Sequence, residues 1–246
     1  MAEKTGIAWT DSTFNPWWGC TKVAPGCDNC YAATLDRRTG GKHWEPRVEP
    51  RTMSTDNWRK PRKWNKTASE SNVRHKVFCG SMCDWTDNHA PAGQRDRLWA
   101  LIRETPSLDW QLLTKRAPNI LKCLPADWGD GYENVWLGVT VENKEHGIPR
   151  LESLRNIPAK VCFLSVEPLL EDLGQIDLTG VHWVIVGGES GYGYRPMKLD
   201  WVLNIKEQCV EQNVPFFFKQ FGGHPNLHDC LLNGVEVKEW PKYILA

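Results

Sequence analysis

The sequence predicts an α/β protein built as a complete or partial parallel β/α (TIM-like) barrel of about six to seven strands. Two observations carry this prediction. Short apolar runs are continuous rather than alternating, which favours strands buried on both faces of a sheet. Helical patterns separate several of these runs, and strands that alternate with helices imply parallel strands joined by crossovers. A doubly wound sheet is the alternative, and both folds bind ligands beyond the carboxyl ends of the strands.

The predicted strands begin with Thr13–Trp18 and continue through six apolar runs. These runs are Lys76–Gly80, Trp110–Leu113, Val135–Val139, Val161–Leu164, Trp183–Val186 and Pro215–Phe218. Helices are predicted where apolar residues recur at helical spacing. Such sets are Leu98, Leu101 and Ile102; Leu199, Val202, Ile205 and Cys209; and, more weakly, His146–Arg155. Polar residues follow each apolar run at once, so they are expected to converge at one face of the barrel.

Charge is balanced overall but unevenly distributed. The 246 residues include 30 Lys and Arg and 30 Asp and Glu, so net charge excludes no class of partner. Residues 37–76, however, hold 12 Lys and Arg against 4 Asp and Glu. We interpret this segment as a long basic, Trp-containing insertion in a single domain of residues 1–246. We expect it to fold onto the barrel mouth, because loops this long are usually functional or disordered.

The amino-terminal residues have neither the apolar core nor the cleavage pattern of a signal peptide. No apolar run approaches the roughly 20 residues that span a bilayer. We therefore expect a cytoplasmic protein. Nine cysteines in a reducing compartment do not form a disulfide framework, so the cysteines that cluster indicate metal binding or catalysis.

The clustered cysteines are Cys20, Cys27 and Cys30, separated by gaps of six and two residues. Three thiolates from one loop can hold three irons of a 4Fe–4S cluster and leave the fourth iron open. S-adenosylmethionine can chelate an open iron through its amino and carboxylate groups. An electron from the cluster then breaks a carbon–sulfur bond and yields a 5′-deoxyadenosyl radical.

Structural zinc is the alternative interpretation of this loop. A zinc site has four protein ligands, and C-x2-C is a common half-site. The fourth ligand would then be His43, Cys79 or Cys83. Unligated thiols are a third interpretation, and the residues alone leave all three open.

The loop resembles that of the radical S-adenosylmethionine superfamily, whose usual pattern is C-x3-C-x2-C after the first barrel strand. The first gap here is longer, and Asn29 stands where that superfamily tends to have an aromatic residue. Across nearly the whole chain, several phrases resemble a phage-associated family of three-cysteine-motif proteins that are regarded as radical S-adenosylmethionine-like. These phrases are NPWWGCTKVAPGCDNCYA, VFCGSMCDW, WQLLTKRAPNI, VWLGVTVEN, FLSVEPLL and WVIVGGESG. Some members are encoded beside a three-cysteine-motif partner protein, so the resemblance also implies such a partner.

The resemblance implies binding roles for polar residues that follow the strands. In the superfamily, a Gly-Gly-Glu-like stretch after an early strand holds the amino group of S-adenosylmethionine. Two stretches are candidates: Gly80, Ser81 and Asp84, which fill that slot by position, and Gly187, Gly188 and Glu189, which match the letters but follow a late strand. The late stretch is expected to meet the substrate or the adenosine end. A tight turn is the alternative for the glycines.

The middle strands of the superfamily usually supply contacts to ribose and carboxylate. The residues at those positions here are Thr140, Glu142, Asn143, Ser165 and Glu167. Cationic candidates for the methionyl carboxylate or a substrate phosphate are Lys115, Arg116, Arg195 and Lys219. Arginine suits bidentate recognition of these groups better than lysine. A solvated charge at a loop end is the alternative for each acidic residue.

The candidate catalytic residues are Cys83, Glu189 and Lys219. Cys83 follows a strand, so it is positioned to face the radical and to donate a hydrogen atom. A small buried side chain is the alternative, since free cysteine is among the most buried residue types.

The basic segment indicates a nucleotide or nucleic-acid substrate. Trp44, Trp58 and Trp64 interleave with its cations, and single strands are held by base stacking combined with Lys and Arg. The alternative is a basic loop packed on the body of the protein. The rival function is a non-catalytic binding module, stabilised by zinc or a cluster, that grips nucleic acid through this segment.

Overall fold

A computed structural model describes residues 5–223 and 229–241. These residues form two compact units. The first comprises the described residues up to Val23 together with Ala32–Leu137 and Ile157–Lys160. The second comprises Ala24–Tyr31, Gly138–Asn156 and the described residues from Val161 onward. The single domain with an insertion stays a prediction.

Nine strands are present in the described part of the chain. In chain order they are β1 Ser12–Phe14, β2 Trp17–Trp18, β3 Arg51–Thr52, β4 His75–Cys79, β5 Leu108–Thr114, β6 Val135–Thr140, β7 Val161–Val166, β8 Trp183–Gly187 and β9 Phe216–Gln220. Seven of them form one sheet in the order β1-β4-β5-β6-β7-β8-β9. Parallel pairing joins β1 to β4, β4 to β5, β7 to β8 and β8 to β9.

The strand order decides between the two folds that the sequence left open. A doubly wound sheet reverses direction at a switch point, whereas here each new strand of the sheet is added on the same side. The order starts at β1 and ends at β9, and these two strands do not pair with each other. The prediction of a partial parallel β/α barrel is therefore confirmed. All seven strands are largely buried, as continuous apolar runs predict.

Helices lie between most of these strands. They are α1 Tyr31–Arg38, α2 Thr55–Ser71, α3 Gln94–Arg103, α4 Ile120–Cys123, α5 Lys144–Arg155 and α6 Leu199–Glu211, with short 3-10 turns at Pro25–Cys27 and Ala117–Asn119. The three helices predicted from apolar spacing correspond to α3, α5 and α6. None of the helices in the described ranges has the length and apolar character that crossing a membrane requires.

The predicted strand Thr13–Trp18 is in fact two strands in different sheets. β1 pairs in the main sheet, whereas β2 pairs antiparallel with β3. Pro16 lies between them and has no N–H to donate to a ladder. The side chain of Asn15 instead accepts a hydrogen bond from the backbone N–H of Met82 at 2.7 Å, which turns the chain away from the main sheet.

The basic segment 37–76 is not a loop, because it contains the helix α2. Ser54 caps this helix by accepting from the N–H of Asn57 at 3.4 Å, and Asn72 ends it in the left-handed conformation. Trp58, Pro61, Trp64 and Ala68 are buried at helical spacing along one face. The prediction that Trp58 and Trp64 stack on bases is wrong for this reason.

Both tryptophans belong to the core of the first unit. Trp58 packs edge-on against Phe14 with ring centroids 5.1 Å apart, and the Arg97 guanidinium lies 4.2 Å from its ring centre. Trp64 stacks on His75 at 5.9 Å. The helix therefore buries an aromatic stripe and exposes four of its five cations.

Candidate functional site

In the first unit, Cys20 lies beside an arginine that follows β5. The chain leaves β2 through Gly19, which forms an isolated parallel bridge with Cys83, and Cys20 comes next. Nη1 of Arg116 donates to Sγ of Cys20 at 3.6 Å. Burial, with a smaller contribution from the Asp84 carboxylate, raises the pKa of the Cys20 thiol to about 12, although Arg116 opposes the shift. Cys20 without a metal is therefore a neutral thiol.

Arg116 is enclosed by acceptors on several sides. Nη1 lies 2.9 Å from Oδ2 of Asp84, and Nη2 lies 2.9 Å from Oδ2 of Asp87. Nη2 also donates to the carbonyl oxygen of Thr21 at 2.7 Å and to its hydroxyl at 2.5 Å. Burial opposes the charge of the guanidinium, but the Asp84 and Asp87 carboxylates outweigh it and raise the pKa of Arg116. Asp87 and Thr21 were missed by the sequence analysis.

Asp84 is satisfied within the chain. Its Oδ1 accepts from the backbone N–H and the hydroxyl of Thr86 and from the hydroxyl of Thr114. Its Oδ2 accepts from the backbone N–H of Lys115 and from Arg116. Five donors therefore hold a carboxylate that the sequence assigned to the amino group of S-adenosylmethionine. This network explains why a buried Asp follows β4.

The other candidates after β4 are closely packed. Nδ2 of Asn15 donates to the hydroxyl of Ser81 at 2.9 Å. A methyl group on Gly80 would lie 2.4 Å from Sγ of Cys83. Cys83 is buried, which raises its pKa well above the usual value. The burial of Cys83 agrees with the alternative interpretation, in which it is a small packed side chain. Hydrogen-atom donation by Cys83 stays a prediction.

In the second unit, the cysteine loop contacts the turn after β8. Cys27 ends the 3-10 turn Pro25–Cys27, and Asn29 precedes Cys30. Nδ2 of Asn29 donates to Oε2 of Glu189 at 2.8 Å and to the carbonyl oxygen of Gly193 at 2.9 Å. Asn29, the residue in place of the superfamily's aromatic, was not singled out as a contact from the sequence.

Glu189 pairs with Arg195, which also contacts this loop. Nη2 of Arg195 lies 2.5 Å from Oε1 of Glu189 and donates to the carbonyl oxygen of Pro25 at 2.9 Å. Nη1 of Arg195 lies 3.4 Å from Oδ2 of Asp28. Burial alone would raise the pKa of Glu189, but hydrogen bonds from Arg195 and Asn29 hold it below the usual value. Glu189 is therefore an ionised anchor at neutral pH.

The two carboxylate oxygens of Glu142, which follows β6, differ in their hydrogen-bond partners. Nη1 of Arg150 donates to Oε2 of Glu142 and, at 3.0 Å, to the carbonyl oxygen of Thr140. Oε1 of Glu142 is buried and has no hydrogen-bond partner among the described residues. Gly26 lies against it, since a methyl group there would be 3.3 Å from Oε1. A buried carboxylate oxygen without a donor requires one, so this oxygen suits the hydroxyl or ammonium of a bound ligand.

A family model described as "Protein of unknown function (DUF5131)" matches residues 4–239. The chain belongs to this family. A search of curated proteins found no match for this DUF5131 member. Its phage association stays a prediction.

Solved structures of spore photoproduct lyase are similar to this DUF5131 chain. A double mutant with bound AdoMet and dinucleoside spore photoproduct is 12% identical with a TM-score of 0.48, over 81% of this chain and 61% of that one. The enzyme complexed with dinucleoside spore photoproduct and a single mutant are each 13% identical with a TM-score of 0.45, over 79% of this chain and 59% of theirs. The DUF5131 chain thus spans about three fifths of the length of these structures.

The remaining candidates of the DUF5131 chain have structural partners. Nζ of Lys219 lies 2.5 Å from Oε2 of Glu167, and both side chains are mostly buried. Asn143 caps α5 by accepting from the N–H of His146 at 3.0 Å. Ser165 is buried, and its carbonyl oxygen accepts from the N–H of Val141. These contacts explain the residues locally, and their roles toward a cofactor stay predictions.

The glycines after β8 differ in what surrounds them. A methyl group on Gly188 would lie 1.9 Å from the carbonyl oxygen of Phe221, so the two backbones meet there. The atoms nearest to one on Gly187 would be those of the Glu167 side chain, with Oε2 at 3.1 Å. Gly188 is thus required by packing of the backbone.

The three cysteines are all free and half-buried. Cys20 belongs to the first unit, whereas Cys27 and Cys30 belong to the second. Over residues 5–223 and 229–241, no group of three or more His, Cys, Asp and Glu side chains gathers as the ligands of a metal ion. Ligation of a cluster by these cysteines stays a prediction. Their chemistry suits iron, because thiolates from one loop are the ligands that iron–sulfur clusters take.

Proposed function

We propose that this chain is a radical S-adenosylmethionine enzyme with a 4Fe–4S cluster on Cys20, Cys27 and Cys30. The observation that carries the proposal is the three-cysteine loop, which follows the first strand of a partial parallel β/α barrel. Active sites of such barrels lie beyond the carboxyl ends of the strands. When bound, the cluster supplies the electron that cleaves S-adenosylmethionine to methionine and a 5′-deoxyadenosyl radical.

The side chains that follow the strands supply binding and shielding rather than electrons. Oε1 of Glu142 accepts a hydrogen bond from a hydroxyl or ammonium of S-adenosylmethionine, and Arg150 holds the other oxygen in place. Asn29, Glu189 and Arg195 fix the cysteine loop through hydrogen bonds to its side chains and backbone. Trp17 is buried three residues before Cys20 in the sequence, and it helps to exclude water from the cluster site.

The test is anaerobic reconstitution with iron and sulfide, followed by reduction in the presence of S-adenosylmethionine. We expect a brown protein with about four irons per chain, as the 4Fe–4S formula requires, and release of 5′-deoxyadenosine. Replacement of Cys20, Cys27 or Cys30 by Ala should abolish both signals. Cys230→Ala is the matched control, because Cys230 is also a half-buried cysteine outside any disulfide and lies far from the loop in sequence. Colour and cleavage that survive in the three motif variants would refute the assignment.

The alternative function is a non-catalytic, metal-stabilised protein that binds nucleic acid. The exposed face of α2 favours a nucleic-acid partner for either function, since Arg59, Arg62, Lys63 and Lys66 point to solvent there. Arg59, Arg62 and Lys66 form exposed ion pairs with Asp56, Glu104 and Glu70, and such pairs are weak. A phosphate backbone can therefore replace the carboxylates.

Charge reversal on α2 tests this partner. Arg59→Glu with Lys63→Glu should weaken binding of a single-stranded oligonucleotide at low salt and reduce the slope of log K against log salt concentration. The slope should fall by about 0.7 for each lost phosphate contact. Lys160→Glu with Lys206→Glu is the control, because it makes the same change of net charge outside α2. If the α2 variant bound the oligonucleotide as well as the control variant did, α2 would be excluded as the contact surface. Oligonucleotide binding by a chain that does not cleave S-adenosylmethionine would favour the non-catalytic function.

A further inference from the structure

The guanidinium of Arg116 points at one ligand sulfur of the proposed cluster and is almost completely enclosed. Its side chain is 9% exposed, and those of Asp84 and Asp87 are 8% and 3% exposed. Nη1 is shared between Sγ of Cys20 and Oδ2 of Asp84. Such a group cannot move to meet a diffusing ligand.

The surroundings of Arg116 do not suit the role that its charge predicts. A residue that binds a substrate carboxylate or phosphate presents unpaired N–H groups to that anion. Both Nη atoms of Arg116 already have protein acceptors, and two carboxylates face one guanidinium. Arg116 therefore has no pair of terminal N–H groups left to present to the carboxylate or phosphate of a substrate.

The same surroundings suit control of a sulfur ligand. Hydrogen bonds to ligand sulfurs and the net charge around a cluster set its reduction potential, and outer-shell partners orient the ligands themselves. Thr21 follows Cys20 directly, and its carbonyl oxygen and hydroxyl bind Nη2 of Arg116. The guanidinium thus holds the backbone beside Cys20 while it donates to the sulfur.

We propose that Arg116 is a positioning residue that sets the reduction potential of the iron–sulfur site through its hydrogen bond to Cys20, with Asp84 and Thr21 fixing its orientation. This inference rests on the proposed function. Arg116 stabilises the extra electron of the reduced cluster by its charge and its N–H group. Asp87 opposes reduction by its negative charge.

Substitution of Arg116 and of Asp87 should shift the midpoint potential in opposite directions. Arg116→Gln removes the cation and should make the midpoint potential more negative. Asp87→Asn removes an anion, leaves Arg116 beside Cys20, and should make the potential more positive. A merely structural role predicts no such opposition. We expect each change to alter the reduction equilibrium constant about tenfold, which is about 59 mV for a one-electron couple.

The experiment is a redox titration of the reconstituted full chain, followed by electron paramagnetic resonance. Arg103→Gln is the control, because Arg103 forms an exposed ion pair with Asp127 elsewhere in the first unit. Arg116→Gln leaves two buried carboxylates without their cation, which can prevent folding. Asp87→Asn and Arg116→Lys then carry the test. The lysine retains the positive charge, so Arg116→Lys should lower the midpoint potential by less than the loss of the cation would.

Opposite shifts for Arg116→Gln and Asp87→Asn, with no shift for Arg103→Gln, would support the inference. If Arg116→Gln does not fold, a positive shift for Asp87→Asn together with a negative shift of less than about 59 mV for Arg116→Lys would support it. The inference would be overturned if the Asp87 and Arg116 variants had the same potential as the control, or if their potentials moved in the same direction. The proposed function would still stand in that case, provided that the reconstituted chain holds its cluster and cleaves S-adenosylmethionine. An unmodified chain that takes up no iron and sulfide would overturn both.

Discussion

Nδ2 of Asn29 donates a hydrogen bond to Oε2 of Glu189 at 2.8 Å, which joins the cysteine loop to the turn after β8. Asn29 is next to Cys30, and Glu189 follows Gly187 and Gly188. The two residues are 160 positions apart along the chain. The Gly-Gly-Glu stretch thus supports the loop directly, whatever ligand it also meets.

Substitution of Asn29 should weaken the attachment of the cysteine loop. Asn29→Ala removes two hydrogen bonds, each worth about 1 kcal/mol. Asn29→Asp should be worse, because it places a second carboxylate against Glu189. Limited proteolysis between Cys20 and Cys30 and iron content after reconstitution measure the effect. An Asn29→Asp variant that is as resistant to protease as the unmodified chain would contradict this account of the loop.

Trp58 should be a stability residue rather than a binding residue. It is 1% exposed and packs on Phe14, so Trp58→Ala should lower the free energy of unfolding by about 3–5 kcal/mol. Chemical denaturation measures this loss. Trp44→Ala is the comparison, because Trp44 is only half-buried, and it should lower stability less. An equal effect of the two substitutions would show that α2 does not bury Trp58 as described.

Gly188→Ala should disrupt the turn after β8. The new methyl group would overlap the carbonyl oxygen of Phe221, and backbone hydrogen bonds from Gly188 to Gln220 and from Gly223 to Glu189 hold the two segments together. We expect a loss of at least about 1–3 kcal/mol, as for other overpacked sites. Thermal unfolding checks the effect, and Gly6→Ala is the control, since its methyl group would meet no atom within 4 Å. A Gly188→Ala melting curve that matches the Gly6→Ala curve would rule out this close approach.

Asp36 should contribute stability that is lost in acid. Burial opposes its charge, but hydrogen bonds from His43 and Trp18 hold the pKa of its carboxyl below the usual value of 3.8. A carboxyl whose pKa is lower in the folded state stabilises the fold above its unfolded pKa, and that contribution disappears as pH falls through the folded pKa. Asp36→Asn should therefore destabilise the protein near neutral pH and have a diminishing effect below about pH 4.

Unfolding free energies measured from about pH 7 to about pH 3 test this expectation, because this range crosses the ordinary pKa of an aspartate. Asp130→Asn is the control, because Asp130 is exposed, and it should show a small effect that varies little. A difference between the unmodified chain and Asp36→Asn that stays constant over this range would show that the charge of Asp36 does not matter.

Periodicity was sufficient to predict the main sheet and three helices. The runs at β4 to β9 are short, apolar and continuous, and burial on both faces produces that pattern whatever the neighbouring strands are. The same reasoning failed for α2, because its many cations hid a stripe of Trp58, Trp64 and Ala68 at helical spacing. It failed again at Pro16, where the loss of one N–H separates β1 from β2.

The sequence by itself determined the α/β class, the alternation of strands and helices, and the three-cysteine loop, because these depend on local spacing and residue chemistry. Only the tertiary structure decided the partners of Arg116, Glu142 and Glu189. Charge and position made each of them a candidate for a ligand, but whether a charge is available depends on side chains that are distant in the chain. Asp87 neutralises Arg116 and Asn29 engages Glu189, whereas one oxygen of Glu142 has no donor among the described residues.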